Sequence, residues 1–345
     1  MSPTILTILM INLAIGTIIT MSSHHWLLAW MGLELNTLAI LPIISKIHHP
    51  RATEASTKYF LTQAAASALI LFSSSLNAQS TGQWNILDLN NQMSKTLITM
   101  ALGMKLGLAP AHFWLPEVLQ GASLTTSLII ITWQKLAPAS LLYLTWNQIS
   151  PTIITLMGTL SVIVGGLGGL NQTQLRKIIA YSSIAHLGWM ATIISKSNKL
   201  ALLNLTMYII ITSSLMLSLI FFYTKTIMDL TTMWTTSPTL TMMTTTTLLS
   251  LGGLPPLAGF IPKWLSMEEL MHHNSTTLAT TLALSTLLSL FFYLRLSYSM
   301  AVTMAPNSTT TTKKWRLQPN MKHIALSMTL PLSMIMLPLL PLMKP

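Results

Sequence analysis

Cysteine is absent from the chain, and charged residues are scarce. With no cysteine among 345 residues, disulfides, iron–sulfur clusters and thiolate metal sites are excluded. Only 7% of the residues are charged and 51% are hydrophobic, whereas soluble domains average about 25% charged residues. Apolar runs of roughly 18 residues or more, long enough to span a bilayer as a helix, recur from end to end. The composition therefore indicates an all-α polytopic membrane protein.

A basic soluble face and a cleavable leader are also missing from the sequence. The formal net charge is +11, but the basic residues stand in short segments between apolar runs, so we expect no nucleic-acid partner. The first apolar run starts at Pro3 with no basic segment before it. We expect that the first helix is itself the insertion signal, or that the chain is made in the compartment where it inserts.

Apolar runs between polar breaks predict eleven transmembrane helices and no separate soluble domain. The Thr-rich stretch 231–247 is ambiguous and leaves ten or twelve helices open. Fourteen Lys and Arg residues fall between the helices, ten on the side of the N-terminus and four on the opposite side, which places the N-terminus inside. The predicted helices are 3–21, 24–45, 56–76, 95–120, 123–146, 151–170, 174–195, 200–223, 240–271, 276–300 and 324–343.

The fourth and ninth predicted helices share a short Gly- and Pro-rich pattern. Four identical residues and a charged fifth recur at an offset of 146 between segments 107–117 and 253–263, with Glu117 replaced by Lys263. So short a match could arise by chance or from shared loop chemistry. The two helices are five apart and run in opposite directions, however, as in the inverted repeats of transporters, where interrupted helices mark the binding region. Interrupted backbone at this depth predicts a polar interior beside it.

Three lysines and one glutamate lie deep in the predicted spans: Lys105, Lys135, Lys263 and Glu34. A charge at mid-span costs about 2.5–3.5 kcal/mol, so such residues are candidates for function. Burial favours a neutral lysine and a nearby carboxylate favours a charged one. We therefore expect Lys105, with Glu34 as a modulating partner, to bind and release protons, and Lys135 and Lys263 to be further stations. The alternatives are snorkelling or static ion pairs.

Two histidines and one arginine are weaker candidates. His112 and His186 could relay protons between the lysines, although a packed or interfacial histidine is the commoner case. Arg295 lies near the inner end of its helix and is equally consistent with a structural role. The segment GGLGGL (165–170) lacks the context of a phosphate loop, and we interpret it as close helix packing.

Four long strings resemble the antiporter-like membrane subunits of respiratory NADH–ubiquinone oxidoreductase (complex I), of the vertebrate mitochondrial type. The resemblance covers nearly the whole chain and is weakest in 77–94 and after about residue 303. The strings are HHPRATEASTKYFLTQAAAS (48–67), KLGLAPAHFWLPEVLQG (105–121), GGLNQTQLRKIIAYSSIAHLGWM (168–190) and LLSLGGLPPLAGFIPKW (248–264).

The resemblance implies a single membrane domain that conducts protons. It implies two inverted five-helix repeats, here 1–146 and 151–300, with discontinuous helices 4 and 9, followed by a final helix at 324–343. Glu34 matches the family's intramembrane glutamate and Lys105 its paired lysine. Lys135 matches the central connecting residue, and Lys263 the distal lysine.

The resemblance also implies a location and an assembly. It places the chain in the mitochondrial inner membrane, with its N-terminus on the matrix side and its C-terminus on the intermembrane-space side. As a subunit of an H⁺-translocating NADH:ubiquinone reductase, the chain would hold no redox site. NADH, FMN, iron–sulfur clusters and ubiquinone are then expected in other subunits. Partners would be membrane-arm subunits on both flanks and inner-membrane phospholipids.

Two other functions stay open on the sequence. A cation/proton antiporter subunit, stand-alone or of the Mrp type, would use the same buried lysines, but would also need a pair of sodium-coordinating acids at mid-membrane, which the chain does not show. A non-conducting scaffold would use the charges only to fix helix packing. Substitution of Lys105 separates these functions.

Overall fold

The computed structural model describes residues 2–235, 237–302 and 324–335, and this part of the chain is helical. It contains fifteen α-helices and two short 3₁₀ helices, Ser45–Ile47 and Thr232–Thr235. Two isolated bridges, and no strands, occur within these ranges. The α-helices, α1 to α15 in order, are Pro3–Ser22, Trp26–Ile44, Pro50–Thr81, Gln92–Leu106, Trp114–Gly121, Leu124–Ile131, Trp133–Leu144, Pro151–Gly169, Leu175–Ile194, Asn198–Phe222, Ile227–Thr231, Pro238–Gly252, Phe260–His272, Thr276–Ala301 and Ile324–Ile335.

Eight helical segments of the described chain are long and apolar enough to cross a bilayer. One of them is Leu124–Leu144, in which α6 and α7 meet at Thr132. The prediction of an all-helical chain with many membrane spans is confirmed at this level. The number of eleven crossings stays a prediction, and the predicted end of the last helix, 336–343, lies outside the described residues.

Helix α3 is longer than the predicted span 56–76, because local capping signals extend it at both ends. Pro50 occupies the first turn, where its fixed φ suits a helix and its missing N–H costs nothing. The Nδ1 atom of His49 accepts the backbone N–H of Arg51 at 3.1 Å. The helix ends at Gly82, whose φ of 73° terminates it in the left-handed conformation. Hydropathy alone did not include these polar ends.

The chain is interrupted at both predicted places. Helix α4 ends at Leu106 and α5 begins at Trp114, while α12 ends at Gly252 and α13 begins at Phe260. Each of these bounds recurs 146 residues further along the chain, and α4 and α12 are both 15 residues long. The ambiguous Thr-rich stretch is therefore resolved, because α12 begins inside it.

The two interruptions share their backbone conformation. Gly107 and Gly253 follow the first helix of each pair with φ of 77° and 80°, values that residues with a Cβ rarely adopt. The peptide bonds Ala109–Pro110 and Pro255–Pro256 are both cis. The two segments are thus alike in structure as well as in sequence.

The chain divides into two compact units. The first comprises residues 1–161 and 187–198, and the second comprises residues 162–186 and 199–345. In the first unit α3 packs against α2, α4 and α5, and α7 packs against α1, α2 and α4. In the second unit α12 packs against α13, α14 and α15.

Glycines of GGLGGL lie against neighbouring helices in the second unit. A Cβ atom at Gly165 would lie 2.8 Å from the carbonyl oxygen of Tyr181 on α9, and one at Gly169 would lie 2.8 Å from the ring of Phe292 on α14. The prediction of close helix packing for this segment is confirmed.

Candidate functional site

Lys105 lies in the last turn of α4, at the edge of the first interruption. Its side chain is only 4% exposed. The Nζ atom has no hydrogen-bond partner within the described residues. The ion pairs that these residues form within 4.0 Å join Lys58 to Glu54 and Glu117, and His273 to Glu269, so no carboxylate neutralises Lys105 at contact distance.

A small polar cavity adjoins Lys105 inside the first unit. It offers about 10 Å³ to the centre of a water molecule, which is about the space that one water requires. The wall combines amide and hydroxyl groups with the ring of Trp114, so a water here would find several hydrogen-bond partners. The polar side chains in this wall, besides Lys105, are Asn36, Thr37, Tyr59, Gln63 and Gln134.

Glu34 lies on α2, close enough to Lys105 and Tyr59 for its charge to act on both. Its side chain is partly exposed, and its Oε2 atom is buried without a hydrogen-bond partner in the described chain. Glu34 and Lys105 interact through space but form no ion pair within 4.0 Å. The predicted pairing is therefore an electrostatic proximity, not a contact.

Lys135 is the most deeply buried of the three lysines, at 1% exposed. It projects from the first turn of α7, and its Nζ atom donates a hydrogen bond to the carbonyl oxygen of Leu106 at 2.8 Å. The same atom lies 5.0 Å from the ring centroid of Trp114. The ammonium group is thus held between a helix C-terminus and an aromatic face.

Lys263 makes the corresponding contact in the second unit. It is 8% exposed, and its Nζ atom donates to the carbonyl oxygens of Gly252 at 2.9 Å and of Leu251 at 3.3 Å. Leu106 and Gly252 are the last residues of α4 and α12, so a lysine caps the same position of both interrupted helices. The last carbonyls of a helix lack intrahelical donors and carry partial negative charge, which favours a cation there.

The two candidate histidines have separate surroundings. His112 lies inside the first interruption, where its Nδ1–H donates to the carbonyl oxygen of Pro110 at 3.2 Å and its ring packs 4.1 Å from that of Phe113. In the second unit, the Nε2 atom of His186 lies 3.4 Å from the hydroxyl of Tyr293. The charge of Lys263 also acts on His186.

Two further charged residues have contacts that suit a structural role. Arg295 donates from Nη1 to the carbonyl oxygen of Leu170 at 2.7 Å and from Nη2 to that of Gln172 at 2.6 Å, so it fixes the turn after α8. Glu117 pairs with Lys58 at 2.6 Å, which ties α5 to α3.

The cavity residues Asn36, Gln63 and Gln134, together with Trp114, were not predicted from the sequence. Each amide is an uncharged polar residue inside a span, and Gln134 directly precedes Lys135. That signal was present but is common, because uncharged polar residues also pair within helices. Trp114 gave no signal, since an apolar ring in a membrane helix is ordinary.

The arrangement suits proton exchange and offers little else. The buried lysines adjoin backbone carbonyls and space for one water, and an amine and a water can pass a proton between them. Among the described residues, no three histidine, aspartate or glutamate side chains form a metal-binding group.

Comparison with known proteins places the chain in a family. The model of the family "NADH:quinone oxidoreductase/Mrp antiporter, TM" matches residues 23–289, and that of "NADH dehydrogenase subunit 2 C-terminus" matches residues 290–344. NADH-ubiquinone oxidoreductase chain 2 of Varanus timorensis is 58% identical over 99% of both chains. That of Latimeria chalumnae is 55% identical over 99% of both.

A solved structure agrees with these matches. A chain of respiratory complex I from Thermus thermophilus superposes with a TM-score of 0.83 at 26% identity, covering 98% of this chain and 79% of that one. The chain therefore belongs to the NADH–ubiquinone oxidoreductase chain 2 family, within the wider family of NADH:quinone oxidoreductase and Mrp antiporter membrane subunits.

Proposed function

We propose that this chain is a proton-translocating membrane subunit of respiratory complex I and that Glu34, Lys105, Lys135 and Lys263 carry the protons. The observation that carries the proposal is the state of the three lysines, which are buried, have no carboxylate within 4.0 Å in the described chain, and stand at helix interruptions. A static ion pair, the structural alternative, would require such a carboxylate.

Each residue has a role that its surroundings support. Lys105 exchanges a proton with water in the adjoining cavity, and the charge of Glu34 modulates its readiness to do so. Lys135 and Lys263 hold a proton while their ammonium groups cap α4 and α12. His186, with Tyr293, is the better relay candidate of the two histidines, because the charge of Lys263 reaches it.

The two interrupted helices belong, in this proposal, to two inverted five-helix repeats, 1–146 and 151–300, followed by a final helix. The shared offset of 146 residues, the two left-handed glycines and the two capped C-termini support this division. Repeats of this kind place the conducting residues at equivalent interrupted helices.

The surroundings of the chain follow from its family. The subunit lies in the mitochondrial inner membrane with its N-terminus on the matrix side, as the distribution of basic loops supports. It contacts other membrane-arm subunits on both flanks and inner-membrane phospholipids. It binds no redox group itself, so electrons from NADH pass through FMN, iron–sulfur clusters and ubiquinone in other subunits.

The deciding experiment is Lys105→Met in the assembled complex, with Lys95→Met in the first turn of the same helix as the matched control. We expect both variants to assemble, and NADH-driven proton transport to fall at least about tenfold in Lys105→Met only. Normal transport by an assembled Lys105→Met complex would leave the chain a scaffold.

The antiporter alternative is tested by assembly. On a native gel of gently solubilised membranes, we expect the 38.0 kDa chain to migrate with NADH dehydrogenase activity at a far higher mass. A band without that activity would favour a cation/proton antiporter subunit.

A further inference from the structure

Trp114 is held in one orientation by the end of α4. Its Nε1–H donates to the carbonyl oxygen of Met104 at 3.2 Å. A Cβ atom at Gly107 would lie 3.4 Å from its ring, so the indole packs directly on the interruption. Tyr59 meets it edge-on with 5.6 Å between the ring centroids. A large aromatic side chain with three such neighbours has little freedom to turn.

This fixed ring faces the ammonium of Lys135. The Nζ atom of Lys135 lies 5.0 Å from the ring centroid, inside the range of about 6 Å for a cation–π interaction, which strengthens when the cation is desolvated. The only hydrogen bond of that ammonium in the described structure goes to the carbonyl oxygen of Leu106. Its charge is therefore stabilised by a carbonyl and a ring, without a carboxylate at contact distance.

Trp114 also lines the cavity beside Lys105. The indole thus touches the water space of one lysine and the charged group of the other. A proton that passes between them breaks an N–H bond at Nζ of Lys105, crosses on water, and forms an N–H bond at Nζ of Lys135. The first lysine becomes neutral and the second becomes charged. The ring favours the product of this step, because only the charged lysine is attracted to the π face.

We propose that Trp114 is a positioning residue for proton transfer, whose indole face stabilises protonated Lys135 in place of a carboxylate. The proposal rests on the proposed function, since it assumes that Lys105 and Lys135 exchange protons. Position 260, which is 146 residues further along the chain, holds Phe260, and its ring instead stacks on Trp264 at 6.2 Å. The aromatic contact to a lysine therefore belongs to the first interruption.

The test uses the assembled complex in liposomes carrying Trp114→Leu or Trp114→Phe. The matched control is Trp133→Leu, which removes a ring that is 41% exposed. We expect NADH-driven proton transport to fall about tenfold in Trp114→Leu and about threefold in Trp114→Phe, because phenylalanine keeps a weaker π face. The control should transport normally. Normal transport by Trp114→Leu, or an equal loss in the leucine and phenylalanine variants, would overturn the proposal.

A double-mutant cycle decides the question if Trp114→Leu does not assemble. Trp114→Phe is combined with Lys135→Gln, and the residual transport of the single and double variants is compared. If the ring acts through Lys135, the phenylalanine variant has no further effect once Lys135 is replaced. An undiminished threefold effect in that background would refute the proposal. If Lys105→Met and Lys135→Gln both transport normally, the proposed function fails; if they lose transport and Trp114→Leu does not, only this inference fails.

Discussion

The ammonium nitrogen of Lys263 lies 2.9 Å from the carbonyl oxygen of Gly252, the last residue of α12. In the first unit, Lys135 makes the same kind of bond to Leu106, the last residue of α4. The two lysines come from different positions of their segments, since Lys135 projects from α7 and Lys263 from α13. The helix end, rather than the lysine's place in the sequence, is what the two interruptions share.

Lys263→Met should reduce both stability and transport. It leaves the carbonyl oxygens of Leu251 and Gly252 without their donor, which costs about 1–3 kcal/mol per buried group. Lys263→Gln keeps a neutral donor, so we expect it to restore thermal stability of the assembled complex but not proton transport. The measurement is a melting curve beside NADH-driven acidification. Full transport by the glutamine variant would show that Lys263 is only a cap.

Gly253→Ala should destabilise the protein more than Gly82→Ala does. Both glycines have positive φ, at 80° and 73°, so alanine is strained by about 1–2 kcal/mol at either position. A Cβ at Gly82 has no neighbour within 4 Å, whereas one at Gly253 would lie 2.9 Å from Nζ of Lys263. Thermal melting of the two variants isolates the cost of displacing the lysine. Equal losses would mean that the side chain of Lys263 moves aside freely.

Gln63→Leu should slow transport without loss of assembly. The substitution removes an amide from the cavity beside Lys105 and so removes a hydrogen-bond partner for water. One hydrogen bond of about 1–1.5 kcal/mol corresponds to a roughly tenfold slower step. Gln83→Leu, an exposed glutamine just past the end of the same helix, is the control. Unchanged transport in Gln63→Leu would exclude a role for the cavity.

Asp229→Asn should loosen the loop between α10 and α12 in a pH-dependent way. Burial raises the pKa of the Asp229 carboxyl, but hydrogen bonds from the backbone N–H groups of Lys225 and Thr226, at 2.9 and 2.8 Å, outweigh it and lower the pKa below the ordinary 3.8. A lowered pKa means that the carboxylate's contribution is complete above the ordinary value and is lost as the pH falls through the lowered one.

Hydrogen exchange of residues 225–229 in the solubilised complex measures this effect. At neutral pH we expect exchange to be about tenfold faster in Asp229→Asn, since a charge-assisted bond is lost. The difference should shrink as the pH is lowered below the ordinary aspartate value. A difference that does not change with pH would mean that the carboxylate's charge is not what orders the loop.

The sequence by itself determined the class of protein and the candidate residues. The absence of cysteine and the low charge left a helical membrane protein, because apolar runs of this length have few other stable states. Gly107 and Gly253 marked both interruptions, since the helix C-terminus there requires a positive φ. The buried lysines stood out because a charge in a span is costly.

Only the tertiary structure decided what surrounds those residues. The hydrogen bond from Lys135 to Leu106 spans 29 residues along the chain, and the cavity beside Lys105 is assembled from α2, α3, α4, α5 and α7. Hydropathy cannot report such distances, because it sums properties of neighbours in sequence. The indole of Trp114 shows this most clearly: an ordinary apolar residue in the sequence lies over a buried ammonium, since α5 and α7 meet at the end of α4.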